Sequence, residues 1–244
     1  MNSHWIAPDW PAPAQVRACV TTRDGGVSAL PYASLNLGNH VGDVPAHVVQ
    51  NRARVRAVLP AEPVWLKQTH GLLVADAALA QSETEADAIV ARQPERVCVV
   101  MTADCLPVLF CDRAGTVVGA AHAGWRGLAD GILEHTVAAM KVPPGHIMAW
   151  LGPAIGPAQF EVGDEVRAIF VGDSAAASAA FEPGKPGKWL ADIYQLARLR
   201  LARLGVHQVY GGGLCTYTDA ARFYSYRRDG ITGRMASLIW LASA

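Results

Sequence analysis

Three short segments carry residue types that bind metals or act as nucleophiles. They are Gln68-Thr69-His70-Gly71, Thr102-Ala103-Asp104-Cys105-Leu106-Pro107 and Ala121-His122-Ala123-Gly124-Trp125-Arg126-Gly127. Each sets one histidine or cysteine at the end of an apolar run, beside glycine or proline, where a strand gives way to a loop. Strand ends bring side chains from distant parts of a chain onto one pocket while the backbone beneath them stays rigid. His70, Cys105 and His122 together make a His2Cys donor set. Zinc accepts three such ligands at a catalytic site and keeps its fourth position for water or substrate. The same atoms allow a second arrangement, with Cys105 as nucleophile and His122 as its base. One sulfur cannot play both roles at once. Singly, each residue also has an ordinary role, the cysteine as a small buried apolar group and the histidines as hydrogen-bonded structural side chains. Only their convergence makes a site.

Positioning these segments requires strands that end at them. Residues 64–66 read as a short strand entering the His70 segment. Residues 96–102 and 106–111 are apolar, β-branched runs with a turn at 112–115, and 116–122 is a strand-like run of small residues. Residues 124–127 lead into a helix over 128–140. Elsewhere, a strand at 16–21 runs into a turn in which Asp24-Gly25-Gly26 supplies positive φ. A helix at 45–59 has Asp43 to cap it, Pro45 in its first turn, and Val48, Val55, Val58 and Leu59 on one face. Further strands are read at 146–151, 206–210 and 235–241, a short helix at 163–171, and an amphipathic helix at 191–204. Residues 174–180 are alanine-rich and fit helix or loop. Strands and helices mix without strict βα alternation, which favours a single α+β domain over residues 1–244, with mixed sheets and helices outside.

Composition narrows the function classes. Of 244 residues, 51% are hydrophobic and 17% charged, which excludes a disordered chain. Lys plus Arg and Asp plus Glu both number 21, so no basic surplus exists for a nucleic-acid binder working by bulk charge. The longest apolar run, 97–111, is broken by Asp104 and Pro107 and falls short of the ~20 residues of a membrane span. No secretory signal is read at the N-terminus. The five cysteines form no CxxC pair and read as free thiols in a reducing cytoplasm. The eight histidines include no His-x-His pair, and His4, His40, His47, His135, His146 and His207 are scattered. That argues against a multicopper oxidase, although a His2Cys site would pick up adventitious copper by the Irving–Williams order.

The three segments, with Leu151-Gly152-Pro153-Ala154-Ile155-Gly156 and Tyr224-Ser225-Tyr226-Arg227-Arg228-Asp229, resemble the YfiH family. It is also called the laccase-domain or polyphenol oxidase family and is associated with purine nucleoside phosphorylase activity. Thr22-Arg23-Asp24-Gly25-Gly26-Val27-Ser28 and Ser34-Leu35-Asn36-Leu37-Gly38 match as well, so the resemblance runs in order over residues 21–241. It implies an α+β domain of stacked sheets flanked by helices, similar in fold to the catalytic domain of cytotoxic necrotizing factor. It also implies zinc at His70, Cys105 and His122. The implied activities are phosphorolysis of adenosine, inosine, guanosine and methylthioadenosine, and deamination of adenosine. Some relatives instead edit peptidoglycan precursors, removing an amino acid from a UDP-muramyl intermediate, through zinc–hydroxide or a Cys105–His122 pair. A zinc-stabilised binding protein without turnover is the alternative outside the enzymes.

The purine reading gives neighbouring residues candidate roles. Asp104 is a candidate proton shuttle, although strand alternation points it away from Cys105; its other role is a hydrogen bond that orients a ligand. Arg23, Arg126 and Arg227 suit bidentate phosphate binding, with solvated loop charge or a structural ion pair as the alternative, and Arg228 and Arg234 are secondary candidates. Asn36 and Gln68 suit ribose or base, or else cap loops. Trp125 and Tyr226 could stack on a purine or pack locally. Cys215 and Thr216 are candidate pocket residues. Gly211-Gly212-Gly213 lacks the phosphate-loop pattern and reads as a turn.

Overall fold

A computed structural model of the chain describes residues 5–243, and His4 lies outside them. In chain order the first half runs β1 (Val16–Val20), α1 (Pro45–Arg56), β2 (Val74–Asp76), β3 (Ala88–Ala91), β4 (Cys98–Thr102), β5 (Leu106–Asp112), β6 (Val118–Ala123), α2 (Trp125–Asp130) and α3 (Ile132–Met140). The second half runs β7 (Ile147–Leu151), β8 (Glu161–Gly163), α4 (Asp164–Asp173), β9 (Phe181–Pro183), β10 (Lys188–Ala191), α5 (Ile193–Arg203), β11 (Gln208–Gly211), α6 (Tyr226–Asp229) and β12 (Met235–Leu241).

Apolar runs without polar alternation make strands covered on both faces. All seven residues of β5 are buried. Its Leu106, Val108 and Phe110 meet a helical layer through Leu128, Ile132, Leu133 and Leu196. Its Leu109 and Cys111 turn the other way, toward Val100 of β4 and Ile239 of β12. The next face, with Val99, Met101, Leu238 and Trp240, packs on Leu35, Leu37 and Val55 of α1. The result is a stack of helix, small sheet, large sheet and helices. The small sheet is antiparallel with order β1-β12-β4, and the large one is mixed with order β11-β7-β5-β6-β3-β2. A third sheet, β8-β10-β9, pairs with neither but joins the core on the helical side of β5 through Val162, Phe181 and Ala191. The chain is therefore α+β with mixed stacked sheets. Among the described residues, no helix is long and apolar enough to cross a membrane.

Several local expectations change. The segment 64–66 forms isolated bridges, Val64 with Cys98 and Lys67 with Glu85, because its two ends pair with different partners and no ladder develops. The helix expected at 128–140 starts earlier, at Trp125, and breaks at Gly131, whose φ of 108° no helix accommodates. Asp43 does not cap α1: Val44 holds that position, and Asp43 accepts hydrogen bonds from Ser28, Asn36 and the Val44 N–H. Val58 is exposed, while Val48, Val55 and Leu59 are buried. The alanine-rich stretch is a 3-10 helix over Ala175–Ala180.

Candidate active site

β5 and β6 are antiparallel neighbours, with Pro107 opposite His122 and Leu106 opposite Ala123. Cys105 immediately precedes β5, and His122 is next to the last residue of β6. The hairpin register therefore sets thiol beside imidazole. Asp112 closes the hairpin at its far end, accepting hydrogen bonds from the N–H groups of Thr116 (2.6 Å) and Val117 (3.0 Å) and from the Thr116 hydroxyl (2.8 Å).

His70 arrives from a loop, and one carboxylate fixes it against His122. Asp87 precedes β3, is fully buried, and accepts from the N–H groups of Thr69 (3.1 Å), His70 (2.9 Å) and Gly71 (2.7 Å). It also accepts from Nδ1 of His122 at 2.8 Å, which leaves Nε2 of His122 as the ligand atom. Burial opposes ionisation of Asp87. The His122 bond and charge, with the backbone N–H groups, outweigh it and hold its carboxyl below the usual range.

The Sγ of Cys105 lies 3.8 Å from Nε2 of His70, and the donor atoms of His70, Cys105 and His122 all lie within 4.8 Å of one another. The two imidazole rings stand edge-on, centres 4.7 Å apart. Burial alone would push the Cys105 thiol up; the charges and hydrogen bonds of His122 and His70 overcome it and bring the thiol down to about 6. The same coupling raises His122: burial opposes its charge, and Cys105 and Asp87 together prevail. Gly124 permits this crowding, since a Cβ there would sit 2.9 Å from Cδ2 of His70 and 3.1 Å from Sγ of Cys105.

The donor set fits a metal ion. Two imidazoles and a thiolate are zinc-type ligands, and the nitrogen of His122 that does not ligate is anchored by a carboxylate, as at many metal sites. Among the described residues this is the only group of three or more His, Cys, Asp or Glu side chains placed to share an ion. One three-ligand group cannot make the type-1 and trinuclear set of a multicopper oxidase. The line Cys105–His122–Asp87 also has the order of a cysteine-hydrolase triad, in which His70 would serve only to favour the thiolate.

Two cavities open on the cluster and share His70, Ala103, Cys105 and Tyr226 in their walls. The first, about 230 Å³, places His70 and Cys105 beside Trp125, Ile155, Phe160 and Ile193, with Arg126 and Arg227 also in its wall. The Arg126 guanidinium stacks 4.4 Å from the Trp125 ring centre; Arg227 donates to the Glu161 carbonyl at 2.9 Å. The second, about 360 Å³, places Cys105 and His122 beside His40, Gln68, Met101 and Arg234.

Other expected residues hold the frame instead. Arg23 spends its side chain on the carbonyls of Ala33 and Ala220 and stacks on Tyr224, so it lines neither cavity. Asn36 is buried, and its amide bonds Gly38, Asp43 and the Arg234 N–H. Gln68 faces the second cavity, but its amide pairs with both backbone groups of Met101. Asp104, at φ 83°, accepts from Thr216 (2.6 Å), Ser225 (3.0 Å) and the Arg227 N–H (2.6 Å). None of these bonds reaches the ligand set; Asp104 ties down the segment carrying Tyr226 and Arg227 while also lining the first cavity beside His70 and Cys105. Cys215 and Thr216 line neither cavity. Sequence reasoning missed Asp87, although a lone acid inside the apolar run Ala86-Asp87-Ala88-Ile89-Val90 signals a buried carboxylate in need of donors. It also set aside His40 as scattered.

Residues 17–242 match the family described as multi-copper polyphenol oxidoreductase laccase. The chain is 58% identical over 242 residues to the purine nucleoside phosphorylase of Pseudomonas aeruginosa, covering 99% of both. It is 58% identical over 243 residues to the purine nucleoside phosphorylase YfiH of Escherichia coli, covering 98% of this chain and 99% of that one. A crystal structure of a Neisseria meningitidis protein of the DUF152 family, 55% identical, superimposes with a TM-score of 0.96 over 99% of this chain and 100% of the other. A match across nearly every residue, in sequence and in fold, makes this chain a member of the YfiH, or laccase-domain, family.

Proposed function

We propose that the chain is a zinc-dependent purine nucleoside phosphorylase. The observation that carries the reading is the three-donor set with two cavities opening onto it. A structural zinc site closes with four protein ligands, whereas three ligands at the floor of two cavities suit catalysis. The names of the relatives supply the reaction class. Zinc would be held by His70, Cys105 and His122 and would supply Lewis-acid stabilisation of negative charge developing in the transition state.

The chain's own residues bind and orient. Trp125, Phe160 and Tyr226 offer ring faces to a purine in the first cavity, and Arg126 and Arg227 stand in its wall as donors to the nucleoside. Asp104 holds the Arg227 segment in place, and Asp87 holds both imidazoles. A phosphate oxygen bonds C1′ of the ribose as the C1′–N9 bond breaks. The bonding pair stays on the purine, which takes up the proton lost by the attacking hydrogen phosphate.

Inosine, guanosine, adenosine and methylthioadenosine are the substrates proposed, with deamination of adenosine at the same pocket; that range rests on the family resemblance. The five free thiols suit a cytoplasmic setting. The test is product analysis with inosine. Hypoxanthine release should require inorganic phosphate and yield ribose 1-phosphate. Phosphate-independent release giving free ribose contradicts phosphorolysis, and a trapped acyl-Cys105 with a muramyl-peptide substrate would favour the hydrolase instead.

A further inference from the structure

The second cavity has no assigned ligand, and its chemistry is anionic. Arg234 is half-buried at the start of β12, and its backbone is pinned: its N–H donates to Asn36 (2.9 Å) and its carbonyl accepts from Leu37 (3.2 Å). Nη1 of its guanidinium donates to the carbonyls of Thr232 (3.1 Å) and Gly233 (3.0 Å), which fixes the plane. Nε and Nη2, the edge that grips an oxyanion with two parallel bonds, have no protein acceptor among the described residues. Nor does Arg234 pair with any carboxylate among them, unlike Arg200, Arg222 and Arg228.

Two further donors stand beside it. His40 lines the second cavity with Arg234, and both continue into an adjoining hollow with Thr232. Thr232 is 2% exposed, and its hydroxyl is buried without a hydrogen-bond partner. A buried hydroxyl left unpaired costs free energy unless something fills the place. A guanidinium with a fixed plane and an imidazole line the cavity that holds Cys105 and His122, and the adjoining hollow adds a hydroxyl without a partner, whereas Trp125 and Phe160 line the first cavity.

We infer that Arg234, with His40 and Thr232, forms the subsite for the inorganic phosphate co-substrate, and that the nucleoside enters from the Trp125 side. The inference rests on the phosphorylase reading and divides its two substrates between the two cavities. It moves phosphate away from Arg23, Arg126 and Arg227. The attacking oxyanion then approaches across the His70–Cys105–His122 set from the side facing away from the purine, as in-line displacement at C1′ requires.

The test is calorimetric titration of the metal-replete protein with inorganic phosphate alone and with adenosine monophosphate alone, beside steady-state kinetics with inosine. Arg234→Gln should weaken phosphate binding by about tenfold or more and raise the KM for phosphate similarly, with the KM for inosine little changed. His40→Asn should act in the same direction while keeping the Arg234 frame, and circular dichroism reports whether either variant is folded. Arg126→Gln and Arg227→Gln should leave phosphate affinity unchanged and raise the KM for inosine. Phosphate affinity that survives both Arg234→Gln and His40→Asn overturns the inference. So does Arg234-dependent binding of adenosine monophosphate without binding of inorganic phosphate, and so does the absence of any phosphate binding. Phosphate binding lost in Arg234→Gln, in a protein that releases no ribose 1-phosphate, leaves the subsite standing and refutes the phosphorylase reading.

Discussion

Asp87 is the residue on which the site turns, because one buried carboxylate fixes His122 through its side chain and His70 through its backbone. Asp87→Asn replaces one acceptor oxygen with a donor facing other donors. Carboxylate partners of metal-bound histidines typically account for about 10–100-fold in affinity. Zinc affinity should fall by that order in a chelator competition assay, while far-ultraviolet circular dichroism stays unchanged; unaltered affinity would contradict the anchoring role. Gly124 is the second such residue. Gly124→Ala drives a methyl into the His70 ring, at a cost of about 1–3 kcal/mol in thermal or denaturant unfolding, and should lower bound zinc. Loss of zinc without any loss of stability would mean the loop relaxes instead. At this scale the three converging donors were legible in the sequence, since His70, Cys105 and His122 each stand at the end of an apolar run. Asp87 was not, because its role comes from what the fold packs against it, and Arg234 stood only as a secondary phosphate candidate until the fold set it in the second cavity. Arg23 and Asn36 show the converse: glycine-flanked polar residues whose hydrogen bonds all go to neighbouring loops.

The β5–β6 hairpin is the element that converts sequence separation into proximity, and Asp112 sets its turn. Three donors reach that carboxylate. Burial opposes its charge, but the N–H groups of Val117 and Thr116 and the Thr116 hydroxyl hold its pKa below the ordinary value. A lowered folded-state pKa contributes stability that is present above the unfolded carboxyl value of about 4 and lost as pH falls through the folded value. Asp112→Asn should therefore destabilise the protein at pH 7 by about 1–3 kcal/mol, with the difference from wild type shrinking below about pH 4. A pH-independent difference in unfolding midpoints would contradict this. The central strands were readable because runs such as Leu106 to Cys111 are apolar throughout. Their pairing was not, since β2 and β3 are short and join from distant loops. The break at Gly131 was equally hidden: helix propensity on both sides masks one residue that must take positive φ.

Over the whole molecule, the stacked layers form the core and the three candidate metal donors sit at the edge of it. Cys105 is only half-buried and His70 is exposed, whereas the strands behind them are sealed. A core of this size forms without help from a metal, so ligand loss and fold loss should separate. The balanced charge, with 21 basic and 21 acidic residues, leaves binding to local groups such as Arg234 and not to a general field. The layered α+β class could be read from the mixed order of strands and helices. The separation of the strands into a small and a large sheet could not, because apolar runs covered on both faces do not reveal which neighbour covers them. The central claim is that His70 from a loop, with Cys105 and His122 from the ends of β5 and β6, holds one catalytic metal. Its most direct test is metal stoichiometry by mass spectrometry on purified wild-type and Cys105→Ala protein, with thermal unfolding measured in parallel. The account predicts about one zinc per wild-type chain, and most of it lost in Cys105→Ala with cooperative unfolding retained. Full zinc occupancy in Cys105→Ala would contradict it.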